Sequence, residues 1–573
     1  MGGGVAVLDY DQDGWQDLYL IQGGELATVQ GRSTDVSAAR QDGDQKHLDT
    51  GSLKDNRVSS DPTTNRSQDQ PPAAIPTPAR MPVGVLQANT SGISLAHSPA
   101  AARMENRLYR NLGNGQFRDV TQEAGLGDIG YGQGVTVGDY DNDGDPDLFI
   151  ANFGRNSLYQ NQGDGTYTDV TVAAGLTSAE WSSSVAFADL DRDGALDLYV
   201  VNYVDSLRIC RGDNGRIATC DPSNFQGAQD RLYQNRGDGT FADATQEAGI
   251  VAANGKGLGL VIVDLDGDLR EEIYVANDGT PNFLFRNVST PGQLKFVENG
   301  ALAGVAVNRH GQAEGGMGIA CSDFDGDGQL DLYVTNFSAE TNTYYRNLGD
   351  LFFEDATDRL PVSTLTRELV GFGVQPIDFD LDGQSDLLVT NGHIDDFRFR
   401  SEPWKMRPLL FKNEGHDRWS DQSVQAGSYF AGEYLGRGLA RWDWDADGAP
   451  DAVIVHQDAP VAILSNESPV VGNWFKLEFR GRSVARDALG TRVEIHLKDR
   501  VRREQLLSGD GFYSSNQRCI HVGLGSAEEV ERLIVTWPDG QQATYEHLSA
   551  NQHLRLIQGS PPLRITVSPM SSH

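Results

Sequence analysis

Four short apolar runs recur along the chain, in the same order, around one acidic loop. An apolar run enters the loop, as in GVAVLDY, GVTVGDY, SVAFADL and GLVIVDL, and a second leaves it, as in DLYLIQ, DLFIAN, DLYVVN, EIYVAN and DLYVTN. A third follows: RLYRN from Arg107, SLYQN from Ser157, RLYQN from Arg231 and TYYRN from Thr343. After a Gly-Asn-Gly or Gly-Asp-Gly turn comes its partner, FRDVT from Phe117, YTDVT from Tyr167 and FADAT from Phe241. Runs of this length between turn residues predict strands, and the turns predict tight hairpins because they need positive φ. Each unit is expected to be one four-stranded antiparallel sheet.

The loop itself reads Asp-x-Asp-x-Asp-Gly-x-x-Asp. Its acidic positions are Asp9, Asp11, Asp13 and Asp17; Asp139, Asp141, Asp143 and Asp147; Asp189, Asp191, Asp193 and Asp197. They return as Asp323, Asp325, Asp327 and Asp331; Asp378, Asp380, Asp382 and Asp386; and Asp443, Asp445, Asp447 and Asp451. A degenerate copy holds Asp264, Asp266, Asp268 and Glu272, with Leu269 in place of the glycine. Gaps between first aspartates are 130, 50, 75, 59, 55 and 65 residues. The first gap is swollen by a polar insert at 25–103, expected to be disordered, and the third by a cysteine-containing excursion at 205–229. Seven such units at a near-constant period predict a seven-bladed β-propeller over residues 1–468, since isolated four-stranded sheets cannot bury both faces.

Oxygen ligands on alternate residues, with a glycine at the sixth position, suit a hard cation of Ca²⁺ size. A main-chain carbonyl at position 7 and the carboxylate at position 9 would complete six or seven oxygens. Position 7 varies freely (Trp15, Asp145, Ala195, Arg270, Gln329, Gln384, Ala449), as befits a backbone ligand. The alternative, an acidic turn that binds nothing, leaves converging carboxylates repelling one another without a counter-ion. Mg²⁺ retains more water than such a loop allows, and Zn²⁺ is disfavoured because no His or Cys joins the sets. Up to seven structural Ca²⁺ ions are expected, the Asp264–Glu272 site being the doubtful one.

Charge then narrows the function. The 573 residues carry 47 Lys and Arg against 81 Asp and Glu, a formal charge of −34, and 28 of those acids occupy the four acidic positions of the seven loops. No basic surface is available to neutralise phosphates, so nucleic acid is excluded as a partner, and no apolar run approaches a membrane span. Four cysteines exclude a disulfide-built scaffold.

The loops with their LYxNxGDGxFxDVT units resemble the FG-GAP/VCBS repeats of integrin-like propellers. From Trp474 the chain resembles the ASPIC/UnbV domain, through DALGTRVEIHL from Asp487, SGDGFYSSNQ from Ser508, IHVGLG from Ile520, LIVTWPDG from Leu533 and NQHLRL from Asn551. The combination is similar to the cartilage acidic protein family and its bacterial relatives. That resemblance implies export, calcium binding and extracellular or cell-surface interaction, with no established enzymatic activity. It places the protein outside the cell, on its surface or in the periplasm, with an extracellular protein or glycan as ligand. One departure stands out: the seventh unit lacks a fourth strand, expected from a segment before the first loop, so the native chain is expected to start upstream of Met1.

Period-two alternation at Trp474–Phe479, Arg492–Leu497, Cys519–Leu524 and Leu533–Trp537 predicts a β-sandwich-like module over 469–558, followed by a tail at 559–573. Within it, Gly509–Tyr513 reads as a structural hairpin or an aromatic binding edge. Cys210 and Cys220 bracket CRGDNGRIATC and are read as a local disulfide, two free thiols being the alternative; Arg211-Gly212-Asp213 inside it is read as coincidence. Cys321 and Cys519 are read as small core residues, and Trp442 and Trp444 as packing between blades. The glycine-rich GYGQG and NGKGLGL are read as turns. His310, His393 and His416 lack a partner at a telling spacing, so no catalytic residue is assigned. The rival function is a propeller-based extracellular hydrolase or lyase acting on polysaccharide.

Overall fold

The computed structural model describes residues 3–22, 86–88, 105–206, 208, 210–212, 215, 217–468, 472–567 and 570. The chain is all-β, a propeller of small sheets followed by a two-sheet module. Blade one is built from Val5–Leu8, Asp17–Leu20, Arg107–Asn111 and Phe117–Asp119, paired antiparallel in that order. The same order recurs from Tyr131–Gly138, Ser182–Ala188, Gly257–Val263, Ile319–Ser322, Gly371–Ile377 and Gly436–Trp442, the innermost strands of blades two to seven. These inner strands are buried along nearly their whole length, which is why they read as apolar runs with little polar alternation. The predicted disorder of the 25–103 insert lies outside the described residues, except for one strand. Leu86–Ala88 pairs with Ala462–Asn466 and supplies the fourth strand of blade seven, so that strand comes from the insert and not from ahead of the first loop.

Of the glycine-rich stretches read as turns, Tyr131–Gly134 and Gly257–Leu260 lie in the inner strands while Asn254 stays in a turn, and the correction has a steric cause. A Cβ on Gly4 of blade one would lie 2.5 Å from the Gln133 carbonyl oxygen of blade two. A Cβ on Gly134 would strike Ser183 of blade three, Gly259 would strike Met317, Gly318 would strike Phe372, Gly373 would strike Arg437, and Gly438 would strike Gly3 of blade one. In blade three the position is Ser184, whose hydroxyl donates to the Leu258 carbonyl at 2.5 Å. Among the described residues seven inner strands thus touch neighbour to neighbour in a closed ring, and at six of the seven contacts there is no room for a Cβ. Gly373→Ala is expected to cost about 1–3 kcal/mol by overpacking, because its Cβ would meet Arg437 O at 2.6 Å and Leu439 Cβ at 2.7 Å. A denaturant melt of the variant measures it.

A second ring runs further out. The asparagine ending each third strand donates its side-chain amide to the carbonyl of loop position 2 in the preceding blade. The seven bonds are Asn111 to Trp444, Asn161 to Tyr10, Asn235 to Tyr140, Asn287 to Leu190, Asn347 to Leu265, Asn413 to Phe324 and Asn466 to Phe379, all at 2.8–3.1 Å. Trp442 and Trp444 of blade seven pack against Phe117 of blade one, with ring centroids 6.1 and 6.2 Å away.

The C-terminal module is a pair of four-stranded sheets, one ordered Ile520–Gly525, Asn473–Arg480, Gln552–Ile557, Leu563–Ile565 and the other Val501–Gln505, Arg492–His496, Glu529–Thr536, Gln542–Ser549. Leu563–Ile565 extends the first sheet into the segment read as a tail. The module's core around Phe475, Val493, Val535 and Trp537 is continuous with Phe187 and Leu198 of blade three. Ser508–Gln517, which contains the Gly509–Tyr513 stretch read as a hairpin or an aromatic binding edge, is instead an axial plug. Its Ser508–Phe512 strand pairs with Gly259–Ile262 of blade four, and Ser514–Ser515 pairs with Val5–Ala6 of blade one. Tyr513 N donates to Ser184 Oγ at 3.2 Å in blade three, Gln375 Nε2 of blade six to Asp510 O at 2.9 Å, and Leu439 N of blade seven to Ser514 Oγ at 3.1 Å. Phe512 and Tyr513 are each 1% exposed.

Candidate metal centres

Each acidic loop joins the inner strand of a blade to the next strand, and its own amides fix most of its carboxylates. The position-1 carboxylate accepts the position-6 N–H at 2.9–3.1 Å in blades one to six, from glycine in five of them and from Leu269 in blade four. The position-5 carboxylate accepts the position-7 N–H at 2.7–3.0 Å in all seven. Such a curl needs left-handed backbone at position 4 as well as position 6. Gln12, Asn142, Arg192, Leu381 and Ala446 adopt it without being glycine, with φ between 56° and 61°.

The position-9 acid is the deepest. Asp17, Asp147, Asp197, Glu272, Asp331, Asp386 and Asp451 are each at most 2% exposed. Each accepts the position-2 N–H of its own loop at 3.0–3.3 Å and, on its other oxygen, the N–H of the third-strand asparagine at 2.7–3.3 Å. That asparagine is the one reaching the preceding blade, so the loop carboxylate and the inter-blade ring share one residue. The asparagine of LYxN was visible in the sequence, but its partner, one blade back, was not.

These residues fit a divalent cation on two grounds. Ligand atoms of Asp9, Asp11 and Asp13 lie within 4.8 Å of one another, as do those of Asp139, Asp141 and Asp147, of Asp189, Asp191 and Asp193, of Asp264, Asp266 and Glu272, and of Asp323, Asp325 and Asp331. Buried carboxylate oxygens without a hydrogen-bond partner remain at loop positions 1 and 3 in blades one, two, six and seven, as Oδ1 of Asp9, Asp11, Asp139, Asp378, Asp380 and Asp443, and at Glu271 Oε1 in blade four. A buried anionic oxygen left unpaired is costly, and a hard cation meets that need with the right donor type.

Burial, reinforced by neighbouring carboxylates, pushes Asp9, Asp139 and Asp189 up to about 7, and Asp378 up to about 8. Desolvation also carries Asp147 to about 9 and Asp331 to about 8. Asp443 goes the other way: although burial opposes it, the Lys476 ammonium 2.9 Å away holds it below the usual range. Outer groups complete the loops. Arg110 bridges Asp11 and Asp13 at 2.8 Å each, Gln160 donates to Asp141 at 2.6 Å, Gln234 to Asp191 at 2.9 Å, and Lys412 pairs with Asp380 and Asp382.

The degenerate loop keeps the trace and changes the neutralisation. Leu269 takes φ of 70°. Arg270 pairs with Asp268 inside the loop, and Arg492 of the module reaches Asp264 at 2.9 Å. Leu269→Gly is expected to stabilise the fold by about 1 kcal/mol by removing left-handed strain, read as a rise in melting temperature.

The module docks on this loop face. It carries 13 basic and 11 acidic residues from residue 469 onward, against 34 and 70 before it. Asp139 N donates to Asp487 at 2.9 Å, Gly523 N to Asp378 at 3.1 Å, Arg500 to Asp382 O at 3.0 Å and His521 Nε2 to Gly448 O at 2.9 Å. Elsewhere, Cys210 and Cys220 form a disulfide, and Cys321 and Cys519 are buried free thiols. Asp213 of the Arg-Gly-Asp tripeptide lies outside the described residues. No helix among the described residues is long and apolar enough to cross a membrane.

Comparison with known proteins matches the FG-GAP-like repeat over residues 98–150, 139–200, 217–275, 264–334 and 323–389, and the ASPIC and UnbV domain over 481–562. Cartilage acidic protein 1 from Homo sapiens is 26% identical over 318 residues, 54% of this chain, and the protein of that name from Xenopus tropicalis is 25% identical over 315. The match spans 45% of the length of each of these relatives. Among solved structures, an Agrocybe aegerita protein described in its recognition of terminal N-acetylglucosamine has a TM-score of 0.36 at 15% identity, covering 63% of this chain and 88% of that one. A Trypanosoma rangeli sialidase has a TM-score of 0.32 at 11% identity, covering 66% and 58%. Superpositions this loose establish no shared function.

Proposed function

The chain belongs to the proteins that couple FG-GAP-like repeats to an ASPIC and UnbV domain, and on that footing we propose that it is an exported calcium-binding protein that recognises an extracellular protein or glycan. The observation that carries the reading is the set of buried, unpartnered carboxylate oxygens recurring in equivalent loops. Position-1, -3 and -5 carboxylates, with the position-9 acid behind them, would hold Ca²⁺, which supplies the positive charge that lets four acids converge. The ions stiffen the turn between the first two strands of each blade and, through the shared asparagine, the contact with the preceding blade.

The binding reading is preferred to catalysis because the repeated sites are equivalent, whereas catalysis needs a unique acid–base pair. The axis, where a propeller could hold a substrate, is filled by Ser508–Gln517. The disulfide Cys210–Cys220 suits an oxidising compartment, and the curated relatives bear the name of an acidic protein of cartilage. The test is to probe the immobilised chain with glycans and extracellular proteins, in calcium and in EDTA, beside turnover assays on polysaccharides. Retention that disappears in EDTA, without turnover, is expected. Turnover, or retention indifferent to calcium, would overturn the reading.

A further inference from the structure

Between the loops of blades one and two and the module lies a cleft of about 640 Å³, where the docked module stands away from the propeller. Its volume is within the roughly 300–1,000 Å³ that encloses a small ligand. Five guanidinium groups line it, those of Arg480, Arg482, Arg486, Arg518 and Arg555, all from the module. In a chain of charge −34 that concentration is exceptional.

Three of the five are engaged. Arg555 pairs with Glu478 at 2.9 Å, Arg518 with Asp510 at 2.8 Å, and Arg486 lies 3.6 Å from Asp139. Arg480 and Arg482 form no salt bridge with a described residue; Arg480 donates to its neighbour's carbonyl, Phe479 O, at 3.2 Å and, behind His553 and Arg555, lends its charge to the buried Glu478 carboxylate. Arg518 Nε is buried without a partner, and so are Oδ1 of Asp9 and of Asp139, both residues of the same wall. Gln16, Gln517 and Thr566 add amide and hydroxyl groups.

We infer that this cleft is a binding site for a small acidic saccharide, whose carboxylate is taken by Arg480 and Arg482. The planar fork of arginine matches a carboxylate, and the amides and hydroxyl suit the sugar hydroxyls. The inference rests on the calcium reading for one property. Asp9, Asp13, Asp139, Glu478 and Asp487 face the five arginines, and ions held by Asp9 and Asp139 would add positive charge to the cleft. Anion binding is therefore coupled to calcium, and the coupling is reciprocal.

Calorimetric titration of the full chain with a galacturonate trisaccharide tests this, with the neutral galactose trisaccharide, free acetate and an oligo-aspartate peptide as comparisons. The acidic saccharide is expected to bind in calcium, to bind at least about tenfold more weakly in the Arg480→Gln/Arg482→Gln variant, and to lose affinity in EDTA. The variant's calcium-dependent melting temperature should not move, since neither side chain holds a loop. Equal binding to the variant, binding of the neutral sugar or acetate as strong as that of the acidic one, binding of the peptide alone, or no binding at all would each overturn the site. If the saccharide fails while calcium still raises the melting temperature, the cleft falls and the calcium reading stands.

Discussion

Gly511→Val is expected to lower the melting temperature by more than ten degrees and to loosen the whole propeller, although the residue belongs to the C-terminal module. Gly511 sits at φ of 83° on the axis, paired with Leu260 of blade four, and a Cβ there would strike Ile319 O of blade five. Left-handed strain and overpacking against backbone each cost about 1–3 kcal/mol, in a protein whose total stability is about 5–15 kcal/mol. The plug also satisfies groups that water cannot reach. Leu439 N and Arg441 N of blade seven donate to Ser514 Oγ and Asn516 Oδ1, and Ser508 Oγ donates to Phe187 O of blade three. Withdrawing it leaves those donors and acceptors buried and unpaired. Hydrogen exchange should therefore accelerate in the inner strands of blades three, four and seven, not only in the module. Exchange confined to residues after 468 would show that the plug is an ornament on a self-sufficient ring.

Chelated and calcium-loaded protein should respond to pH in opposite directions. Without ions, Asp9, Asp139 and Asp189 are raised to about 7 in the fold, Asp331 and Asp378 to about 8 and Asp147 to about 9, all from a reference of 3.8. The folded chain then holds more protons than the unfolded chain between about pH 4 and the raised values. Stability therefore increases as pH falls through 9 to 4 and is lost as pH rises. Every tenfold gain in a carboxylate's affinity for its proton is worth about 1.4 kcal/mol, so even a fraction of what these six residues gain matters. With calcium bound the same carboxylates are ionised in the fold and protons compete with the metal, so stability falls as pH falls. Thermal melts across pH 5–8, in EDTA and in calcium, should give slopes of opposite sign; parallel slopes would contradict the account.

The repeats were legible because two signals agreed: the same four apolar runs in the same order, and an acidic loop every fifty to sixty residues. What stayed hidden was what depends on closure. Gly134 and Gly259 looked like turn residues, since nothing local reveals that another blade's carbonyl occupies their Cβ position. Phe512 and Tyr513 looked exposable because a Gly-Asp-Gly hairpin is the same string whether it meets water or fills an axis. The closing strand of blade seven was missed because Leu86–Ala88 is three residues inside a polar insert, and its partner Ala462–Asn466 lies near the other end of the propeller. That carboxylates converge in these loops was legible because their spacing alone specifies it. Their second role, holding the asparagine that grips the preceding blade, depends on a partner in another repeat and leaves no mark in the sequence of one.

The central claim is that the converging carboxylates are held together by calcium. One site at a hundred times its dissociation constant adds about 2.7 kcal/mol, so the six regular loops together would exceed the stability of an ordinary domain. Elemental analysis of the purified chain, followed by melts with and without EDTA, should find about six bound calcium ions per chain, in keeping with those loops, and a collapse of the melting temperature on chelation. A chain free of calcium that melts unchanged in EDTA would contradict it.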